Sequence, residues 1–220
     1  MKRVALLHTV KGVLNTFEDD LRRAIPEELA VSNTLDDYLA NDPNIRGEFT
    51  QKNLNRLLFD LKAAELTDPD LIVVTCSTLT PWVEKLRPLI SVPVVAIDDA
   101  MSRTAVGLGE KVYILATARS TAGPTERKLL ADAAAAGKRI HTTVAVCDEA
   151  FAALKRLDME THDRLLKEAA LEIKNQDVVV LAQASMAHLT GEIEKICGCR
   201  VLSSPSLCIA QVKELLAKGE

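Results

Sequence analysis

The chain has 220 residues, 48% of them hydrophobic but only 3% aromatic, so it can bury a sizeable core, and that core must be mainly aliphatic. A net charge of −4 without any basic block argues against nucleic acid as the main partner. No apolar run approaches the ~20 residues of a membrane span, and five cysteines, an odd number, suit free thiols and a cytoplasmic location better than a disulfide framework.

The opening "MKRVALLHTV" sets two basic residues before a short apolar run. The run is too short for a signal peptide, lacks a small-residue cleavage site and is interrupted by His8. Residues 3–8 are therefore expected to form the first strand. A helix over 14–24 follows, then a strand over 28–33. Asp36-Asp37 is expected in a solvated loop, ahead of a helix over 46–65. The strand "LIVVT" (71–75) runs into Cys76-Ser77-Thr78, and a helix over 81–89 opens with Thr80 as cap and Pro81 at its first position. Next come a strand over 92–97, a helix over 98–107 and a strand over 111–117. A helix over 121–136 carries Pro124 near its start. It is followed by a strand over 139–146 and a long helical stretch, 149–173, expected to break near Asp158. The chain closes with a strand over 177–182, a helix over 185–197, a strand over 199–203 and a helix over 206–218. Alternation of this kind means βαβ units and parallel sheets.

An internal repeat organises these elements. "DLIVVTCSTL" (70–79) aligns with "DVVVLAQASM" (177–186) at an offset of 107, pairing Cys76 with Gln183 and Thr78 with Ser185. The offset continues to "VPVVA" (92–96) over "CRVLS" (199–203). At an offset of 108, "RVALLHT" (3–9) aligns with "KVYILAT" (111–117), pairing Thr9 with Thr117. Two copies are too few for a solenoid. They fit an α/β fold of two similar flavodoxin-like lobes, each a parallel sheet flanked by helices, related by a pseudo-twofold axis. Residues 1–98 with 206–220 form one lobe and 99–205 the other.

In open α/β sheets, ligands bind beyond the carboxyl ends of the strands. A 2-1-3-4 order places His8-Thr9 beside Thr75 to Thr78. A thiol there sits near backbone N–H groups that favour anions, and Ser77 and Thr78 add hydroxyl donors. "VGLGEK" (106–111) precedes a strand rather than following one, so it only mimics a dinucleotide-binding loop. Cys197-Gly198-Cys199 falls at a helix end with Gly198 as cap, and without further ligands at metal spacing zinc is not expected. His188 is expected on a helix surface.

At the segments "LLHTVKGVL", "VVTCSTLT", "ILATARSTAGPT", "VVVLAQASMAHL" and "VLSSPSL" the chain resembles the aspartate/glutamate/hydantoin racemase superfamily, over nearly its whole length. The resemblance implies a site between the lobes, with one cysteine from each flanking the substrate α-carbon and neither metal nor pyridoxal cofactor. Cys76 matches the first of these cysteines. The second position is Gln183, whose amide cannot act as a base. Cys-Ser-Thr stands where many members have Cys-Asn-Thr, and His8 replaces an acidic residue common after the first strand. Thr117, Ser120 and Thr121 match the second anion-binding turn, where ordinary helix capping uses the same residues.

The resemblance implies a cofactor-independent, racemase-like enzyme acting on a small carboxylate or related acyl compound. Cys76 is the expected acid–base group or nucleophile, with His8 tuning it or relaying its proton. Thr9, Ser77, Thr78, Thr117, Thr121 and Ser185 are expected to hold the carboxylate, with Gln183 donating a hydrogen bond. A one-base decarboxylase or isomerase is the close alternative, and a non-catalytic carboxylate-binding protein the other. A homodimer is the default assembly.

Overall fold

The structure is a computed structural model that describes residues 1–218. The chain divides into two compact units, residues 1–99 with the segment from Pro205 onward, and Ala100–Ser204.

The first unit contains β1 (Lys2–His8), α1 (Lys11–Ala24), β2 (Leu29–Leu35), α2 (Tyr38–Arg46), α3 (Gln51–Glu65), β3 (Leu71–Val74), α4 (Thr80–Leu86) and β4 (Val94–Ala96). A 3-10 turn over Ser77–Leu79 joins β3 to α4. The sheet order is β2-β1-β3-β4, with all pairs parallel. The second unit contains α5 (Asp99–Leu108), β5 (Lys111–Ala116), α6 (Arg119–Ala135), β6 (His141–Val146), α7 (Asp148–Lys155), α8 (Met159–Ala170), β7 (Val178–Leu181), α9 (Thr190–Cys197) and β8 (Arg200–Ser203), before α10 (Ser204–Lys218). Its order is β6-β5-β7-β8, again all parallel. The expected pair of flavodoxin-like α/β sheets is therefore present.

Strands β1, β3, β5 and β7 lie inside their sheets, which explains their continuous apolar runs. In the first unit one face carries Ala5, Leu7, Ile72 and Val74 against Leu57, Leu61 and Val83 of α3 and α4. In the second, Leu115, Val179 and Leu181 meet Leu166 and Ile193 of α8 and α9. Each fully buried leucine in these layers contributes roughly 2 kcal/mol. The repeat extends to single bonds. Asp70 N–H donates to the Arg3 carbonyl at 2.8 Å, and Asp177 N–H donates to that of Lys111 at 2.9 Å. The carboxylates return the contact: Asp70 accepts from Arg3 N–H at 2.7 Å, and Asp177 accepts from the N–H groups of Glu110 and Lys111, each at 2.8 Å.

Three details differ from the sequence expectations. The stretch before residue 51 forms a separate helix, α2, ended by Gly47 in a left-handed conformation (φ 79°). Pro43 and few apolar residues hide it from periodicity. Asp158 does break the 149–173 stretch, and its carboxylate caps α8 by accepting from Thr161 N–H at 3.0 Å. Asp36, expected in a solvated loop, is buried. Its carboxylate pairs with Arg56 and accepts the Tyr38 N–H at 3.2 Å. Those partners hold Asp36 ionised. Asp60, desolvated by burial and facing the Asp36 charge, is pushed up to about 7.

Gly109 shows why a glycine precedes β5. A Cβ there would lie 2.3 Å from the Asp177 Cβ. Gly109→Ala should lower stability in thermal unfolding by on the order of 1–3 kcal/mol. The losses of Gly109→Ala and Asp177→Gly should fall short of adding in the double variant, because the second removes the obstructing side chain. For Asp60, the folded value of about 7 lies above the ordinary aspartate value of about 3.9. Between those values the folded state keeps a proton that the unfolded state has released, so stability falls as pH rises. Asp60→Asn keeps the neutral form. Its melting temperature should therefore gain on that of the natural chain from about pH 4 to about pH 7 and hold the difference above it.

Candidate functional site

The residues of interest in the first unit leave the sheet at its carboxyl edge. Thr9 follows β1, Cys76 and Ser77 follow β3, and Asp98 lies two residues beyond β4. Successive residues of a strand point to opposite faces, so parity decides which side chains meet. Leu7 and Val74 belong to the face covered by α3 and α4, and Cys76 packs against that cluster. Thr9 shares this parity.

Cys76 as a residue is partly buried. Burial pushes its pKa up, opposed by the Thr9 hydroxyl, by the Thr78 and Leu79 amides, and by the Thr78 hydroxyl. The neutral thiol makes no cap hydrogen bond to the 3-10 turn it precedes. The Leu79 N–H of that turn donates to the Cys76 carbonyl at 3.0 Å, and the Thr78 and Leu79 amides both favour the thiolate. The Thr9 hydroxyl is buried, with no hydrogen-bond partner of its own among the described residues. The geometry suits a protonated thiol that can give up its proton and be stabilised as an anion afterwards.

His8 falls on the opposite parity, with Thr75 and Asn33. Its Nδ1 lies 2.8 Å from the Thr75 hydroxyl, and its Nε2 lies 3.0 Å from Asn33 Oδ1. Asn33 donates in turn to Glu18 at 2.5 Å. This chain makes Nε2–H the donor and Nδ1 the acceptor. Burial lowers the His8 pKa, partly offset by Asn33 and Glu18, so the ring favours its neutral form. Both ring nitrogens are engaged, by Asn33 of β2 and by Thr75 just past β3, and the residue beside the thiol is Thr9.

Asp98 was missed by sequence reasoning, which treated it as the start of a helix. Its buried carboxylate accepts from the Ser77 hydroxyl at 3.0 Å and from the Thr80 hydroxyl at 3.1 Å. It thereby fixes both ends of the turn that carries Cys76. The available signal was an acidic residue just past an apolar strand, at the carboxyl edge of the sheet. Thr78, half-buried, flanks the thiol from within the turn.

In the second unit the equivalent place is closed. Gln183 precedes a 3-10 turn over Ala184–Leu189, as Cys76 precedes Ser77–Leu79. Its amide clamps Thr117: Oε1 accepts the Thr117 N–H at 2.7 Å and Nε2 donates to the Thr117 hydroxyl at 2.6 Å. Thr117 therefore holds Gln183 as Thr9 accompanies Cys76, as the repeat offsets require. The Thr121 hydroxyl donates to the Ala118 carbonyl at 2.9 Å inside the first turn of α6. Ser185 is half-buried in the turn after Gln183. His188, expected on a surface, is exposed and bonds Asp163 at 2.9 Å. Among the described residues no group of three or more His, Cys, Asp or Glu side chains is arranged to hold a metal ion, and no helix is long and apolar enough to cross a membrane.

A family model described as Asp/Glu/Hydantoin racemase matches residues 8–212. Among solved structures, the chain is similar to a glutamate racemase isoform, RacE1, from Bacillus anthracis, with 17% identity and a TM-score of 0.72 over 99% of this chain and 82% of that one. It is similar to an aspartate racemase from Picrophilus torridus, with 18% identity and a TM-score of 0.71 over 98% of this chain and 94% of that one. An arylmalonate decarboxylase shares 14% identity at a TM-score of 0.58, over all of this chain (100%) and 95% of that one. At these identities the likeness is one of fold. No curated protein matches the chain in sequence.

The raised Cys76 pKa sets a chemical expectation. Alkylation by iodoacetamide, followed on the Cys76 peptide by mass spectrometry, should keep accelerating above the ordinary thiol value of about 8.5. Thr9→Val removes a group that favours the thiolate, so its rate at pH 8 should fall by roughly tenfold and its profile shift to higher pH. A rate that levels off near pH 7 would contradict this account of the thiol.

Proposed function

This chain belongs to the Asp/Glu/hydantoin racemase family, and from that premise we propose that it is a cofactor-independent enzyme that moves a proton at the α-carbon of a small carboxylate. Cys76 is its acid–base group. One arrangement carries the proposal: a partly buried cysteine beside the buried hydroxyl of Thr9, at the carboxyl edge of a parallel sheet. That hydroxyl can donate to a substrate carboxylate oxygen while the thiol is neutral, and to the sulfur once it is charged. The Thr78 and Leu79 amides stabilise the sulfur while it is charged. Ser77 and Thr80, tied to Asp98, keep the turn in place. His8, with Asn33 and Thr75, braces the strand tips from the other face and acts on the thiol only through them.

Within this chemistry two outcomes differ in where the second proton goes. Racemisation removes a proton from one face and delivers another to the opposite face, which takes two ionisable groups. Gln183 stands at the repeat position of Cys76, and an amide does not ionise in water. The amide and its clamp on Thr117 thus favour a one-base reaction. In such a reaction a carbanion forms, either by loss of carbon dioxide or by transfer of the α-proton to the Cys76 thiolate, and takes a proton from the Cys76 thiol on that same face. After decarboxylation the thiolate regains a proton from water; in exchange the thiol trades its proton with water before returning it. A protonated thiol at neutral pH suits this donor role.

Deuterium incorporation in heavy water, over a panel of amino acids, hydantoins and substituted malonates, tests both parts. The natural chain should label at least one class on a single face, and Cys76→Ala should lose at least ~10²-fold of that rate. Labelling that persists in Cys76→Ala would reject the assignment. Racemisation by the unaltered chain would point to a second base elsewhere. Thermal stabilisation by these compounds without turnover would leave a binding protein.

A further inference from the structure

At the opposite end of the second sheet, α9 ends at Cys197 and β8 begins at Arg200, and the connection is Gly198-Cys199. Gly198 adopts a left-handed conformation, φ 70°, and its N–H donates to the Glu194 carbonyl at 2.9 Å. The reversal brings Cys199 Sγ to 3.5 Å from Cys197 Sγ. Both cysteines are partly exposed. They precede β8, whereas Gln183 follows β7, so the pair lies away from the carboxyl edge. Nothing in the α-carbon chemistry uses it.

We propose that Cys197 and Cys199 form a reversible dithiol–disulfide site whose oxidant is a small organic disulfide. The sulfurs are within van der Waals contact and need to close from 3.5 Å to the ~2.05 Å of a disulfide bond. The left-handed glycine supplies the turn without strain. A three-residue loop removes little entropy from the unfolded chain, so such a bond adds little stability and is easily reduced. A labile link of this type serves exchange rather than architecture.

The steps follow from the neighbours. Burial and the nearby Cys197 hold Cys199 at about 12, and Glu194 and Asp177 add to the effect. Cys197 is therefore the first nucleophile. Its thiolate attacks one sulfur of the small disulfide, that S–S bond breaks, and one reagent thiolate departs. The mixed disulfide now on Cys197 carries no charge, which removes one cause of the high Cys199 value. Cys199 loses its proton to solvent, attacks the Cys197 sulfur and expels the second reagent thiolate. The protein has lost two hydrogens, and one reagent disulfide has become two thiols. The remaining cysteines differ. Cys208 is buried, and burial pushes the thiols of Cys76, Cys147 and Cys208 upward.

The test uses the full chain and glutathione disulfide at mildly alkaline pH, read by intact mass and peptide mapping. The expected product lacks two hydrogens within the peptide spanning residues 197–199 and retains no glutathione there. Cys199→Ser, checked for folding by circular dichroism, should stop at a stable adduct on Cys197. The adduct retained by the natural chain at that peptide should be at least about tenfold lower. Phenylarsine oxide, which bridges paired thiols with loss of water, should protect both residues of the natural chain from alkylation without any substitution. A persistent Cys197 adduct in the natural chain, or two thiols that neither oxidise nor hold the arsenical, would overturn the proposal.

Discussion

Thr75 donates its amide hydrogen to the Leu7 carbonyl at 3.0 Å, the last rung between β1 and β3, and that bond fixes the register in which both strands leave the first sheet. Pleating then assigns every residue beyond it to a face. His8 and Thr75 turn to one side, where Asn33 completes their hydrogen bonds. Thr9 and Cys76 turn to the other, over the layer formed by Leu7, Val74 and Val83. A slip of one residue would exchange the two sets and bring the imidazole to the thiol's side. Whether Cys76 has a base or a hydroxyl as its neighbour is thus settled by strand pairing.

The same rung recurs in the second unit, where Ala182 N–H donates to the Leu115 carbonyl at 2.9 Å. Both backbones continue into a 3-10 turn, Ser77–Leu79 after Cys76 and the longer Ala184–Leu189 after Gln183. Their chemistry differs. In one unit a threonine faces a sulfur and keeps its hydroxyl unpartnered. In the other the matching threonine is saturated by an amide through two short bonds. At matching places one copy presents a thiol, whose pKa burial raises, and the other an amide, which does not ionise.

Three buried or half-buried carboxyl groups away from the thiol either find a partner or shift their ionisation. Asp98 finds Ser77 and Thr80. Asp36 finds Arg56 and the Tyr38 amide, and Asp60 keeps a proton near neutrality because Asp36 does not. Asp36 and Asp98 were illegible in the sequence, where acidic residues after strands look solvated, and Asp60 reads as an ordinary residue of α3. Helix α2 was illegible too, because Pro43 and a run of polar residues give no apolar period.

The sequence by itself determined the alternation of strands and helices, the two-fold repetition, the parallel sheets and the family. These depend on hydrophobic period and spacing, which are local and additive along the chain. It also marked Cys76 and its counterpart Gln183, since one offset relates them. Only the tertiary structure decided that Thr9 rather than His8 stands beside the thiol, that Asp98 anchors its turn, and that Gln183 is already engaged by Thr117. Each of these pairings joins residues separated along the chain, brought together by register and by the direction of a pleat, and neither is written in any single segment.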